Sequence, residues 1–126
     1  MSGGHTSGKR VLVVDDDAEI RSAVAGVLED EGFEVQAAEN GDDALRVLGA
    51  GEVVDLILLD MMMPGMDGWT FMAERRKSPG LAAIPVVIFS AYGNPRQVAA
   101  ELNAAGHLRK PVHASELVKA VERCAR

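Results

Sequence analysis

The chain has 126 residues, 48% of them hydrophobic but only 4% aromatic, which suits one domain with an aliphatic core. Nineteen acidic against 13 basic residues leave a formal charge of -6, which argues against direct nucleic-acid binding and suits a surface that gathers cations. The only cysteine, Cys124, rules out an internal disulfide and fits a reducing cytoplasm. No apolar run approaches the roughly 18 residues needed to cross a membrane. Residues 1–8 lack the apolar stretch of a signal peptide and read as a flexible tail, with His5 solvated, ahead of one domain over 9–126.

Val11-Leu12-Val13-Val14 reads as a first strand, running from Lys9 and ending in Asp15-Asp16-Asp17. Ile20, Val24, Val27 and Leu28 then make the inward stripe of a helix over Ala18 to Glu31. Asp17 is placed to cap it and Gly32 to stop it. Phe33 to Ala37 alternates as a second strand. Asn40 caps a short helix carrying Ala44, Leu45 and Leu48, ended by Gly49 and Gly51. Asp55 to Leu59 is a third strand, buried on both faces, and it stops abruptly at Asp60. After Pro64-Gly65, Asp67 caps a helix running to about Lys77, which Ser78-Pro79-Gly80 breaks. Ile84 to Phe89 is a fourth strand, closed by Ser90-Ala91. Pro95 opens a helix through Leu102, stopped by Gly106. His107-Leu108-Arg109 is closed by Lys110-Pro111 as a strand would be. Ala114, Leu117, Val121 and Cys124 share one face of a last helix.

Five βα units in succession predict an α/β domain: a five-stranded parallel sheet covered on both faces, flavodoxin-like and doubly wound, in the order 2-1-3-4-5. That order sets the first strand beside the third. Asp15 and Asp16 then meet Asp60, with Ser90 and Lys110 at the ends of the next two strands. Neighbouring strands lie about 4.8 Å apart. At about 5 Å and an effective dielectric near 20, each carboxylate pair repels by roughly 3 kcal/mol, so such a pocket wants a cation. All-oxygen ligands with room for water suit Mg²⁺. Lys110 adds a positive charge and Ser90 a hydroxyl, and with a metal they can hold a transferring phosphoryl group. Asp60 stands alone and is the candidate nucleophile, forming an acyl phosphate. Asp15 and Asp16 are a pair suited to gripping metal.

Taken singly these residues are ordinary. Asp17 and Asp67 read as helix caps, the Met61-Met62-Met63 run as loop packing rather than anything redox, and Cys124 as core. His107 and His113 have no Cys or His partner spaced for zinc. The joint placement is what points to chemistry.

The chain resembles the response-regulator receiver family over about residues 9 to 125. Asp60-Met61-Met62-Met63-Pro64-Gly65-Met66-Asp67-Gly68 matches the family's D-x-x-M-P-x-M-D-G signature in full. Val13-Val14-Asp15-Asp16, Ser90-Ala91 and Lys110-Pro111 match its acidic pair, its hydroxyl-plus-small pair, and its lysine before a typically cis proline. The resemblance implies that Asp60 is phosphorylated by a sensor histidine kinase or a histidine phosphotransfer protein. It implies Mg²⁺ on Asp16, Asp60 and the Met62 carbonyl, with Asp15 acting mainly through a metal-bound water. It implies that Lys110 bridges to the phosphoryl group and that Ser90 swings inward to meet it. The output face would be the fourth helix, fifth strand and fifth helix, and the effector is unidentified. Such a domain catalyses only its own phosphorylation and hydrolysis and is not a metabolic enzyme.

His107 stands where the family usually has Tyr or Phe as its switch residue, which opens a route to pH sensitivity. Val112 replaces a frequent Phe, and His113 a frequent Thr or Ser cap, a weaker helix start that Ser115 could support. Met62 and Tyr92 occupy the positions that flank the line of water attack. Both are bulky and neither offers a carboxylate or amide to orient water, so slow self-dephosphorylation is expected.

Two other readings stand beside this one. A phosphatase of the haloacid-dehalogenase type also uses an aspartyl phosphate, and Asp15-x-Asp17 matches its D-x-D, but Glu19 stands where that class has Thr or Val and no cap domain is visible. A pseudo-receiver adaptor, working without phosphorylation, would not need the complete acidic set. The sequence leaves open whether the domain stands alone or is a piece of a larger protein.

Overall fold

A computed structural model describes residues 8–91 and 93–126. The tail reading over residues 1–7, and Tyr92, lie outside the described residues; Gly8 is an exposed turn residue. The elements in chain order are β1 (Arg10–Val14), α1 (Ala18–Asp30), β2 (Glu34–Ala38), α2 (Gly41–Gly49), β3 (Leu56–Leu59), α3 (Gly68–Arg75), α4 (Pro79–Ala82), β4 (Val86–Ser90), α5 (Pro95–Leu102), β5 (Gly106–Arg109) and α6 (Ala114–Cys124). The sheet is parallel throughout, in the order β2-β1-β3-β4-β5.

The strands' alternation sorts the core into two layers. Leu12, Val14, Ile57, Leu59, Val86 and Ile88 face α2, α3 and α5, which contribute Ala44, Leu48, Phe71, Met72 and Ala99. Val11, Val13, Leu56, Leu58, Val87 and Phe89 face α1 and α6, which contribute Val24, Leu28, Leu117 and Val121. All four residues of β3 are fully buried. Each such Leu or Ile contributes roughly 1.5–3 kcal/mol of burial, so the strand that delivers Asp60 is among the most firmly seated parts of the chain.

The expected caps form. Asp17 accepts from the N–H groups of Glu19 and Ile20, Asn40 from Asp43, and Asp67 from Thr70. Four local expectations are corrected. Gly106 does not stop α5; Asn103 does, in the left-handed conformation at φ 57°, and Gly106 begins β5. Its lack of a side chain matters there, since a Cβ would lie 3.2 Å from Cys124 Sγ. Ser78-Pro79-Gly80 does break α3, but Pro79 sits well at a helix start and opens the single turn α4. The fourth and fifth helices of the sequence reading are therefore α5 and α6. β2 starts one residue later than expected and β4 two later, because the pairing with β1 and β3 starts there. At α6 it is Glu116, not Ser115, that supports the start, accepting from the His113 N–H at 3.3 Å.

Among the described residues, no helix is long and apolar enough to cross a membrane.

Candidate functional site

The carboxyl ends of the strands form one rim, and ladder hydrogen bonds running just past the strands set its residues in place. Asp15 N–H donates to the Ala38 carbonyl at 3.1 Å and Asp60 N–H to that of Val14 at 2.9 Å; Lys110 N–H donates to that of Ser90 at 2.9 Å. Both acids thus leave β1 and β3 side by side. The turn after Asp60 is held by Gly68, whose N–H donates to the Met61 carbonyl at 3.1 Å. The approach is close enough that a Cβ at Gly68 would sit 2.7 Å from Met61 Cα, so only glycine fits.

Asp15, Asp16 and Asp60 each present a carboxylate oxygen within 4.8 Å of the others. Asp15 is fully buried and Asp60 nearly so, while Asp16 is exposed. Lys110 Nζ lies 2.5 Å from Asp15 Oδ2 and 3.5 Å from Asp60 Oδ2. Its side chain is largely buried, and its ammonium also lies 5.0 Å from the centre of the Phe89 ring. The other Asp15 oxygen accepts from Asp17 N–H at 2.9 Å, and Arg21 donates to the Asp15 carbonyl at 2.7 Å.

One ammonium is therefore shared by Asp15 and Asp60, in a cluster that also holds the Asp16 carboxylate. Burial pushes the Asp60 carboxyl above its ordinary value; Lys110 opposes this, the Asp15 charge adds to it, the N–H of Met62 opposes it at 3.3 Å, and Asp16 adds further. A pocket of about 300 Å³ opens over these groups, lined also by Met62 and Ala91. Its donor set is all oxygen, short of positive charge and open to water, which fits a hard divalent cation such as Mg²⁺.

The family profile of the response regulator receiver domain matches residues 11–122. The chain belongs to the response regulator receiver domain family. This receiver is 36% identical to the two-component response regulator ORR11 of Oryza sativa subsp. indica over 115 residues, covering 90% of this chain and 78% of that one. It is 37% identical to the transcriptional regulatory protein CpxR homolog of Haemophilus influenzae, again over 90% of this chain but only 48% of that protein's length. In structure it is similar to the chemotaxis protein CheY4 of Vibrio cholerae, with a TM-score of 0.83 and 32% identity, covering 91% of this chain and 97% of that one.

The remaining sequence candidates fall around this receiver's pocket in different ways. Ser90 is buried at the end of β4, and its neighbour Ala91 lines the pocket. Lys110-Pro111 is cis. His107 is exposed on β5, opposite Ile88, and lines a groove of about 530 Å³ with Pro111, His113 and Glu116. Asp17 keeps its capping role at the pocket's rim. The methionine run divides: Met61 and Met63 are buried as loop packing, whereas Met62 is 53% exposed. Sequence reasoning missed Phe89 and Arg21. Phe89 was findable as the residue before Ser90 on a strand whose odd positions face α1 and α6; Arg21, as a residue one turn past the Asp17 cap.

Proposed function

We propose that this receiver is a phosphorylation switch in which Asp60 accepts a phosphoryl group from the histidine of a sensor histidine kinase or a histidine phosphotransfer protein. The observation that carries the reading is the cluster of three carboxylates, two of which share the Lys110 ammonium, with Asp60 lining an open pocket. An Asp60 oxygen attacks the phosphorus in line, the bond from phosphorus to the imidazole nitrogen breaks, and the imidazole leaves with the electron pair. The Lys110 ammonium moves from the Asp60 carboxylate onto a phosphoryl oxygen, and Ser90 turns inward to donate to another. Asp16, Asp60 and the Met62 carbonyl would hold Mg²⁺, with Asp15 beside them as a further acid of the cluster. When bound, the ion neutralises the carboxylates and the charge on the phosphoryl oxygens.

The chemistry ends with the domain's own phosphorylation and hydrolysis. Withdrawal of Ser90 from the end of β4 reaches His107 on β5, and the partner-binding face of α5, β5 and α6 changes with it. His107 is the switch residue in place of an aromatic ring, and Met62 with Tyr92 sets the lifetime of the acyl phosphate. The working unit is residues 9–126, acting in the cytoplasm on a protein effector rather than on nucleic acid or a membrane.

Incubation with acetyl phosphate and Mg²⁺, read by intact-protein mass, tests this. Wild type is expected to gain one phosphoryl group, and Asp60→Asn none. Undiminished incorporation by Asp60→Asn refutes the assignment.

A further inference from the structure

We propose that Met62 is an oxidation site. Hydrogen peroxide converts its thioether to the sulfoxide, and the new oxygen shortens the life of phosphoryl-Asp60. The inference rests on the phosphorylation reading above and adds a chemical input to the same pocket.

Access singles out Met62. Among the described methionines, Met61, Met63 and Met72 are 1%, 7% and 1% exposed, and Met66 is half-buried against the core. Met62 is 53% exposed and lines the pocket with Asp60 and Lys110. Oxidation of methionine follows access to the sulfur. Peroxide is neutral, so the surrounding carboxylates do not repel it. The sulfur attacks one peroxide oxygen with a lone pair, the O–O bond breaks and the S–O bond forms. The departing hydroxide takes the proton left on the transferred oxygen and leaves as water. Methionine is oxidised by two electrons and peroxide reduced by two.

The product differs from the thioether in the property that matters at this pocket. A thioether is a weak acceptor, whereas a sulfoxide is polar and accepts a hydrogen bond strongly, as an amide carbonyl does. The main chain of Met62 is tied to Asp60 Oδ1 at 3.3 Å, so the side chain grows from a point anchored on the nucleophile. An acceptor there can hold and orient a water beside the acyl phosphate. One net hydrogen bond of this kind corresponds to about fivefold in rate.

The test has two arms. Peptide mass spectrometry after graded peroxide treatment reads which methionine gains oxygen, whatever the phosphorylation state. Untreated and oxidised proteins are then phosphorylated with acetyl phosphate and Mg²⁺, and decay is followed after the donor is removed. Met62 is expected to oxidise ahead of Met61, Met63, Met66 and Met72, and decay to quicken about fivefold. Methionine sulfoxide reductase should restore the original rate, and Met62→Leu, compared with its own untreated form, should not respond. Uniform oxidation of the methionines overturns the inference, and so does selective oxidation with unchanged decay. If untreated protein takes no phosphoryl group at all, the function proposed above fails first, and this inference falls with it.

Discussion

Removing the negative charge of Asp60 should stabilise the metal-free protein. Asp15 and Asp16 each offer an oxygen within 4.8 Å of one on Asp60. At an effective dielectric near 20, a repulsion at that distance is about 3.5 kcal/mol, so two neighbours impose about 7 kcal/mol. Lys110 at 3.5 Å returns about 4.7 kcal/mol by the same arithmetic. The balance is about 2 kcal/mol against the ionised carboxylate. Water weakens the share of exposed Asp16, while the burial cost of Asp60 adds to the penalty, leaving the sign unchanged. Asparagine keeps a carbonyl for the Met62 N–H. With chelator present, Asp60→Asn should therefore raise the Tm by roughly 8 °C for a domain of this size. Millimolar Mg²⁺ should narrow the gap, because wild type has the more anionic ligand set and gains more by binding. Thermal unfolding of both proteins, with chelator and with Mg²⁺, measures all four values. An unchanged or lower Tm for Asp60→Asn in chelator, or an equal gain from Mg²⁺ in both, would refute the reasoning.

The same carboxyl sets a pH dependence. Its folded value is raised above the ordinary 3.8, so the folded state holds a proton that the unfolded state has released. The contribution is fully present below 3.8 and is lost as pH rises through the raised value; denaturant titrations should show wild type losing stability relative to Asp60→Asn across that window, and a flat difference would count against it. Lys110→Met leaves the fully buried Asp15 without its cation, which should cost about 3–5 kcal/mol in urea unfolding and depress phosphoryl incorporation. Adding Asp15→Asn should recover part of the stability but not the incorporation. Gly68→Ala would bring a Cβ to 2.5 Å from Met61 Sδ and 2.7 Å from its Cα, so the loop must move. A loss of about 1–3 kcal/mol with slower phosphorylation is expected, and wild-type values on both would show that the contact is soft.

Much of this was legible because strand ends and caps are written locally. Val11 to Val14 and Leu56 to Leu59 are apolar runs that stop in acid, and the topology of alternating strands and helices then brings those acids together. Asp17, Asn40 and Asp67 announce their helices by position alone. What the sequence could not carry is the division of labour among like residues. Asp15 and Asp16 are adjacent and chemically identical, yet one is sealed against Lys110 and the other is exposed, a difference set by the ladder bond from Asp15 to Ala38 in β2. Met61, Met62 and Met63 are likewise equal in sequence and split by which side of a tight loop each occupies. Gly106 looked like a helix stop because glycine commonly is one; here Asn103 adopts the left-handed turn and Gly106 begins β5, where a Cβ would press on Cys124.

The hydrogen bond from the Lys110 main-chain N–H to the Ser90 carbonyl makes this peptide group a native reporter. Its proton sits between the residue that shares its charge with Asp15 and Asp60 and the residue that closes β4. Whatever draws the ammonium toward Asp60, or turns Ser90, bears on the length and angle of that one bond. Its amide resonance and its exchange with deuterium thus offer a reading of the pocket's charge state from the backbone, with no side chain of the site altered.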